Sequence, residues 1–64
     1  MITINDQMIY ITKFKKIISI EDTQIILSYT NLKLDIKGLN LQIKYLTKDD
    51  LEINGIIHKV EFYE

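Results

Sequence analysis

Residues 34–46 read LDIKGLNLQIKYL. Apolar and polar side chains alternate along this stretch on both sides of Gly38. Successive side chains of a β-strand point to opposite faces of the sheet, so a period of two is typical of strands buried on one face only. The stretch therefore predicts antiparallel β structure.

The same alternation continues on both sides of this stretch. It recurs at residues 2–4, 9–12, 18–20 and 25–30 upstream, and at 51–53 and 56–62 downstream. The chain is rich in Ile and contains neither Ala nor Pro, a composition that favours strands over helices. We predict an all-β fold, a small antiparallel sheet of about seven or eight short strands that forms a sandwich or roll. At 64 residues, the chain is expected to be a single β domain spanning residues 1–64.

Polar residues with turn chemistry separate the alternating runs. They occur at 5–6, 21–22, 30–31, 37–38, 47–50 and 54–55. Asn54-Gly55 is the strongest signal, because a type I′ hairpin turn needs positive φ at both central positions. We therefore assign structural turns to Gly38, Asn54 and Gly55. At Asp49-Asp50 a polar turn is favoured over a metal site, because no third ligand accompanies the two carboxylates.

An internal repeat also emerges from the pattern. Residues 34–46 can be laid over 51–63, and both can be laid over 2–14. The repeated unit would be a hairpin, which cannot bury its own apolar face and has to pair into a larger sheet. Chance similarity among short alternating strands is the competing explanation.

The charge balance argues against a nucleic-acid partner. Eight basic and nine acidic residues give a net charge of -1, whereas nucleic-acid binding usually depends on a basic excess. The local cluster Lys13, Lys15 and Lys16 around Phe14 is interpreted as a solvated turn, with phosphate or anionic-lipid contact as the alternative. A small β-barrel nucleic-acid-binding module remains the alternative function. It would use a basic, aromatic face made of Tyr10, Lys13, Phe14, Lys15, Lys16, Lys44 and Tyr45.

Residues for catalysis or cofactor binding are scarce. The chain has no cysteine, two glycines and one histidine, His58, which shares a face or rim with Ile56 and Val60. A nucleophile needs a base held by a third group, and the acids are scattered, with Asp35 and Glu52 expected on exposed strand faces. We therefore expect no enzyme activity, no catalytic residues, no cofactor and no metal.

Interaction features are better represented. Alternation breaks at 17–18, 25–27 and 56–57, so apolar side chains point to both faces there. Either a two-layer core or a self-association interface would cover them. Residues 59–64 are a plausible sheet edge for adding a strand. We expect a homo-oligomer whose candidate interface residues are Tyr10, Tyr45, Ile57, Val60, Phe62 and Tyr63.

Targeting signals do not stand out in the sequence. The first residues show no basic leader, and no apolar run approaches the about 20 residues needed to span a bilayer. We expect a cytosolic protein without a transmembrane segment.

Residues 34–46, followed by LEINGIIHKVEF at 51–62, resemble the YabP/YqfC family of sporulation proteins. The shared pattern is an alternating strand, Gly, Leu-x-Ile, a short polar loop, Leu-x-Ile-x-Gly-x-Ile and a strand ending in an aromatic. Gly38 and Gly55 match the family glycines. The resemblance covers about residues 9–63 and includes upstream strands at 18–22 and 25–30.

This resemblance implies a non-enzymatic sporulation protein that self-assembles and binds a spore-coat or mother-cell membrane protein partner during endospore formation. It also implies a location in the mother-cell cytoplasm, associated with the forespore surface or the spore coat. The family has no assigned catalytic residues to carry over.

Overall fold

The computed structural model describes residues 2–64 and contains six strands in these residues. They are β1 (Ile2–Ile4), β2 (Met8–Thr12), β3 (Lys16–Ile20), β4 (Gln24–Tyr29), β5 (Leu32–Leu46) and β6 (Asp50–Tyr63). All six belong to one sheet in the order β1-β2-β6-β5-β4-β3, and every neighbouring pair is antiparallel. The predicted all-β antiparallel fold is confirmed, but a sandwich or roll is not confirmed.

The predicted count of seven or eight strands is wrong because two strands are much longer than expected. The runs at 32–36 and 39–45 are parts of β5, which has 15 residues, and the runs at 51–53 and 56–62 are parts of β6, which has 14. A straight strand of 15 residues would be about 46 Å long, yet the longest dimension of the molecule is 26 Å. Both long strands therefore bend sharply.

Two glycines lie at this bend. A Cβ on Gly38 would overlap the carbonyl oxygen of Ile56, and Gly55 has a φ of 145°, with Asn40 O only 2.8 Å from where its Cβ would be. The β5–β6 register also shifts here, between residues 37 and 38 and between 39 and 42. The glycines allow the backbones of β5 and β6 to approach closely where the strands bend.

The predicted hairpin turn at Asn54-Gly55 is therefore wrong, as is the turn at Gly38. All three residues lie inside strands, and the connection between β5 and β6 is at 47–49. The other turn predictions are confirmed: residues 5–7, 21–23 and 30–31 connect successive strands. Asn31 adopts a φ of 59° in the shortest of these connections.

The bend divides the sheet into two halves. The first half-sheet contains β1, β2, residues 50–54 of β6 and 42–46 of β5. The second half-sheet contains β3, β4, residues 32–37 of β5 and 59–63 of β6. Each half-sheet gives four fully buried side chains to one core cluster: Ile9, Ile11, Leu51 and Ile53 from the first, and Ile25, Leu27, Leu34 and Ile36 from the second. The bend thus lets each half-sheet cover the apolar face of the other.

The two half-sheets repeat one arrangement. In the first, Ile9 is in register with Ile53; in the second, Ile25 is in register with Ile36. The glycines match as well: the Gly55 N–H donates to Gln7 O and the Gly38 N–H donates to Thr23 O. The repeat between 34–46 and 51–63 is therefore structural. Residues 2–14 are not a third copy, because β1 and β2 correspond instead to β3 and β4.

Phe14 lies in the connection between β2 and β3. Its side chain is buried in the core cluster, and the backbone N–H groups of Lys13 and Phe14 both donate to Asp49 O, at N···O distances of 2.6 and 3.3 Å. The connection is thus anchored to the β5–β6 turn. Lys13, Lys15 and Lys16 are exposed, as the interpretation of a solvated turn requires, while Phe14 points inward.

Candidate interaction surface

Four segments of the described chain have a strand neighbour on one side only. These are β1, β3, residues 42–46 of β5 and residues 59–63 of β6. An unpaired strand edge presents backbone N–H and C=O groups that can pair with another chain. The prediction that the run at 59–64 supplies a sheet edge is confirmed for 59–63.

Three of these four edges are short or irregular. β1 has three residues, β3 contains a register shift between Ile17 and Ser19, and the β5 segment contains one between Ile43 and Tyr45. Bulges and short length are the usual devices by which proteins prevent strand addition at an edge. Residues 59–63, here named the β6 edge, pair with residues 33–37 without any shift. The β6 edge is the regular open edge of the described sheet.

The β6 edge carries charged side chains on one face and apolar ones on the other. Lys59 and Glu61 form an ion pair with an Nζ–Oε2 distance of 3.6 Å, and Glu61 also lies 3.8 Å from Lys37 Nζ. Val60 and Phe62 are in register with the buried Ile36 and Leu34 and so lie on the core side. Val60 packs against the core, whereas the Phe62 side chain is 48% exposed. An apolar ring therefore lies uncovered at the rim of the core.

The structure separates the candidate interface residues into two groups. Ile57, Val60, Phe62 and Tyr63 lie on the last part of β6, and Ile57 and Val60 are partly buried against the core. Tyr10 and Tyr45 lie in the first half-sheet, where both are in register with Glu52. The six residues thus do not form one continuous patch, and their role in an interface stays a prediction.

Asp35 is the polar residue that sequence reasoning placed wrongly. It was expected on an exposed strand face, but its side chain is buried. Gln24 Nε2 donates to Oδ1 at 3.0 Å, and the Tyr63 hydroxyl donates to Oδ2 at 3.0 Å. The hydrogen bond to Asp35, followed by burial, raises the pKa of Tyr63 above its ordinary value of 10.0. This bond joins the last residue of the β6 edge to the neighbouring strand β5.

Glu52 is the second acid for which an exposed strand face was expected. Its side chain is half-buried and accepts a hydrogen bond from Asn54 Nδ2 at 3.0 Å. It lies between Tyr10 and Tyr45 in the register of the first half-sheet. Burial, and then the negative charge of Asp50, raise the pKa of Tyr10.

These positions disfavour the alternative of a nucleic-acid-binding face. Phe14 is buried and cannot stack on a base, because stacking requires an accessible ring. The two tyrosines of that face have the carboxylate of Glu52 between them, and a carboxylate repels phosphate.

A depression with a volume of about 320 Å³ lies beside the β4–β5 turn. Its lining includes Lys15, Lys33, Asn31 and the carboxylate-bearing Glu64. The depression opens to solvent and mixes both signs of charge, so it does not define a binding site of one chemistry.

Groups that suit metal binding or proton transfer are dispersed. Within residues 2–64, no three His, Asp or Glu residues are arranged to hold a metal ion. His58 is exposed and is the extra residue of the register shift next to Gly38. At Asp49 and Asp50 the backbone N–H groups donate to Thr47 Oγ1, at 3.4 and 3.0 Å, as in a polar turn. No helix within the described residues is long and apolar enough to cross a membrane.

The fold and its surface define a small protein built from one bent antiparallel sheet that presents a regular open strand edge. The chain belongs to the YabP family, because the family model of that description matches residues 1–64. This match confirms the resemblance seen in the glycines and alternating strands. A search of curated proteins gave no match.

Proposed function

We propose that this chain is a non-enzymatic sporulation protein that self-assembles and binds a spore-coat or mother-cell membrane protein partner during endospore formation. Membership of the YabP family, over residues 1–64, suggests the association with sporulation. The proposed location is the mother-cell cytoplasm, at the forespore surface or the spore coat.

The observation that carries the proposal is the regular, unpaired β6 edge with the exposed Phe62 ring at the rim of the core. Strand addition to such an edge is a common way for proteins to bind other polypeptides, because main-chain hydrogen bonds supply affinity and side chains supply selectivity.

Exposed apolar side chains elsewhere on the sheet support the same function. Each of the following is at least two-fifths exposed: Ile4, Ile18, Ile20, Leu39, Tyr45, Leu46 and Ile56. Leu39 and Ile56 are in register with each other at the bend, so they form an exposed apolar pair. Apolar surface of this kind is stabilised by contact with another protein surface.

The non-enzymatic part of the proposal rests on the chemistry of the side chains. The chain has no cysteine and a single histidine, His58, which is exposed in a bulge. The buried acid, Asp35, accepts hydrogen bonds from Gln24 and Tyr63 and lies 4.0 Å from Lys37 Nζ. These contacts join β4, β5 and β6 around a carboxylate that is only 4% exposed.

Deleting the gene in a spore-forming host tests the proposal. We expect fewer resistant spores, and we expect a fluorescent fusion to collect at the forespore surface. Complementation with His58→Ala should restore spore yield as fully as the wild-type gene, because an assembly role does not need the imidazole. Normal spores in the deletion strain, together with a fusion spread evenly through vegetative cells, would contradict a sporulation role. Failure of His58→Ala alone would contradict the non-enzymatic role.

A further inference from the structure

We infer that the β6 edge pairs with the β6 edge of a second copy of this chain, antiparallel and with the twofold axis at Val60. This inference rests on the proposed self-assembly and specifies its geometry. It would join two six-stranded sheets into one continuous sheet, with the same surface used by both copies.

The choice of edge follows from regularity. The β6 edge is in uninterrupted register with β5 over five consecutive residues, whereas the edges of β3 and β5 contain register shifts. With the axis at Val60, residues 59–61 of the two copies pair directly, and Phe62 lies opposite His58 of the second copy. In an antiparallel strand, alternate residues direct their N–H and C=O groups to the two sides. Half of the backbone polar groups of the β6 edge therefore face away from β5 and are available to a second strand.

The choice of register follows from charge. With the axis at Val60, Lys59 of each copy lies opposite Glu61 of the other, which gives two cross-strand pairs of opposite charge. An axis at Glu61 would place two glutamates opposite each other, and an axis at Lys59 would do the same with two lysines. Directly opposed like charges destabilise a strand pair, so the Val60 register is the complementary one.

Apolar packing supports the same register. Ile25, Ile36 and Val60 are in register across β4, β5 and β6, so they form one row on the core side of the sheet. An axis at Val60 extends this row directly into the same row of the second copy. Phe62, now 48% exposed, would lie diagonal to Val60 of the second copy and within reach of it.

Charge reversal tests this geometry. Lys59→Glu creates an edge with two glutamates and Glu61→Lys an edge with two lysines, so each variant should repel itself. We expect each variant alone to self-associate roughly ten- to thirtyfold more weakly than wild type. In an equimolar mixture the two edges are complementary, and association should return to the wild-type level. Sedimentation velocity measures all three samples.

Charge-matched controls separate this effect from a change in net charge. Lys48→Glu in the β5–β6 turn and Glu21→Lys in the β3–β4 turn alter exposed residues away from the β6 edge. Both should self-associate as wild type does. Circular dichroism checks that all variants fold.

Disulfide trapping gives a second readout. The chain has no cysteine, so Val60→Cys introduces a single thiol at the proposed axis, where two copies would place their Cα atoms about 4.5–5.5 Å apart. Oxidation should give a covalent dimer. The matched control is Ile43→Cys, because Ile43 is in register with Ile53 just as Val60 is with Ile36, and both side chains pack partly buried against the core.

The outcomes distinguish the inference from the proposed function. If both charge-reversal variants self-associate as strongly as wild type, and mixing them does not change the association, the β6-edge geometry is overturned. Self-assembly then occurs through another surface. A wild-type protein that stays monomeric at every concentration overturns both. If the β6 edge selectively binds an unrelated extended peptide, and Val60→Cys gives no covalent dimer, then the edge binds a different protein. That result overturns the inference.

Discussion

The substitution Gly38→Ala adds one methyl group at a point where β5 and β6 approach closely. The new Cβ would overlap the carbonyl oxygen of Ile56 and would lie 3.1 Å from Leu41 Cδ2. The obstructing oxygen belongs to the backbone of the neighbouring strand, so no rotation of a side chain can relieve the overlap. One of the two bent strands has to move.

Overpacking of this kind costs about 1–3 kcal/mol, and a backbone obstruction places Gly38→Ala at the upper end, near 3 kcal/mol. A 64-residue chain has a total stability of roughly 3–10 kcal/mol. The substitution should therefore remove a large part of the stability and lower Tm by about 12–24 °C.

Urea unfolding followed by circular dichroism measures this loss. Asn40→Gly is a suitable control at the same bend, because Asn40 is exposed and has a φ of 53°, which glycine adopts without strain. The control should unfold within about 0.5 kcal/mol of wild type. A Gly38→Ala variant with the wild-type unfolding midpoint would refute the close approach of the two strands and, with it, the bend.

Further predictions concern the core and the pH dependence of stability. Phe14→Ala should lower the free energy of unfolding by about 3–5 kcal/mol in a urea titration, because the ring belongs to the core cluster; a loss below about 1 kcal/mol would indicate an exposed ring instead. The raised pKa of Tyr63 means that its protonated form is favoured in the folded state. Its contribution is therefore present below pH 10 and is lost as pH rises through the raised pKa. Tyr63→Phe should flatten the fall in stability above pH 10, leaving a smaller fall from Tyr10, whose pKa is also raised; an unchanged pH profile would contradict the hydrogen bond to Asp35.

The alternation of side chains was enough to predict the sheet, because a strand buried on one face imposes a period of two on the sequence. The turns at 5–7, 21–23, 30–31 and 47–49 were also predictable, because local polar residues determine them. Asn54-Gly55 was misread because the same dipeptide suits both a tight hairpin and a strand that passes close to another backbone. The two cases differ in whether another backbone lies next to Gly55, and here the carbonyl oxygen of Asn40 does so. The sequence does not give that position.

The burial of Asp35 and Phe14 could not be predicted from the sequence. The hydrogen-bond partners of Asp35 are 11 and 28 residues away along the chain. No local sequence pattern therefore indicates that Asp35 is buried. Phe14 is surrounded by lysines in sequence, but its backbone N–H donates to Asp49 O, far along the chain, and its ring lies in the core cluster. The location of the β6 edge was foreseen, whereas its regularity became visible only once the bulges of the other edges were known.

Sedimentation equilibrium on the wild-type protein, from micromolar to millimolar concentration, tests the claim of self-assembly most directly. We predict an average mass that rises from the 7.6 kDa of one chain toward twice that value as concentration increases. A mass that stays at 7.6 kDa over the whole range would contradict the account.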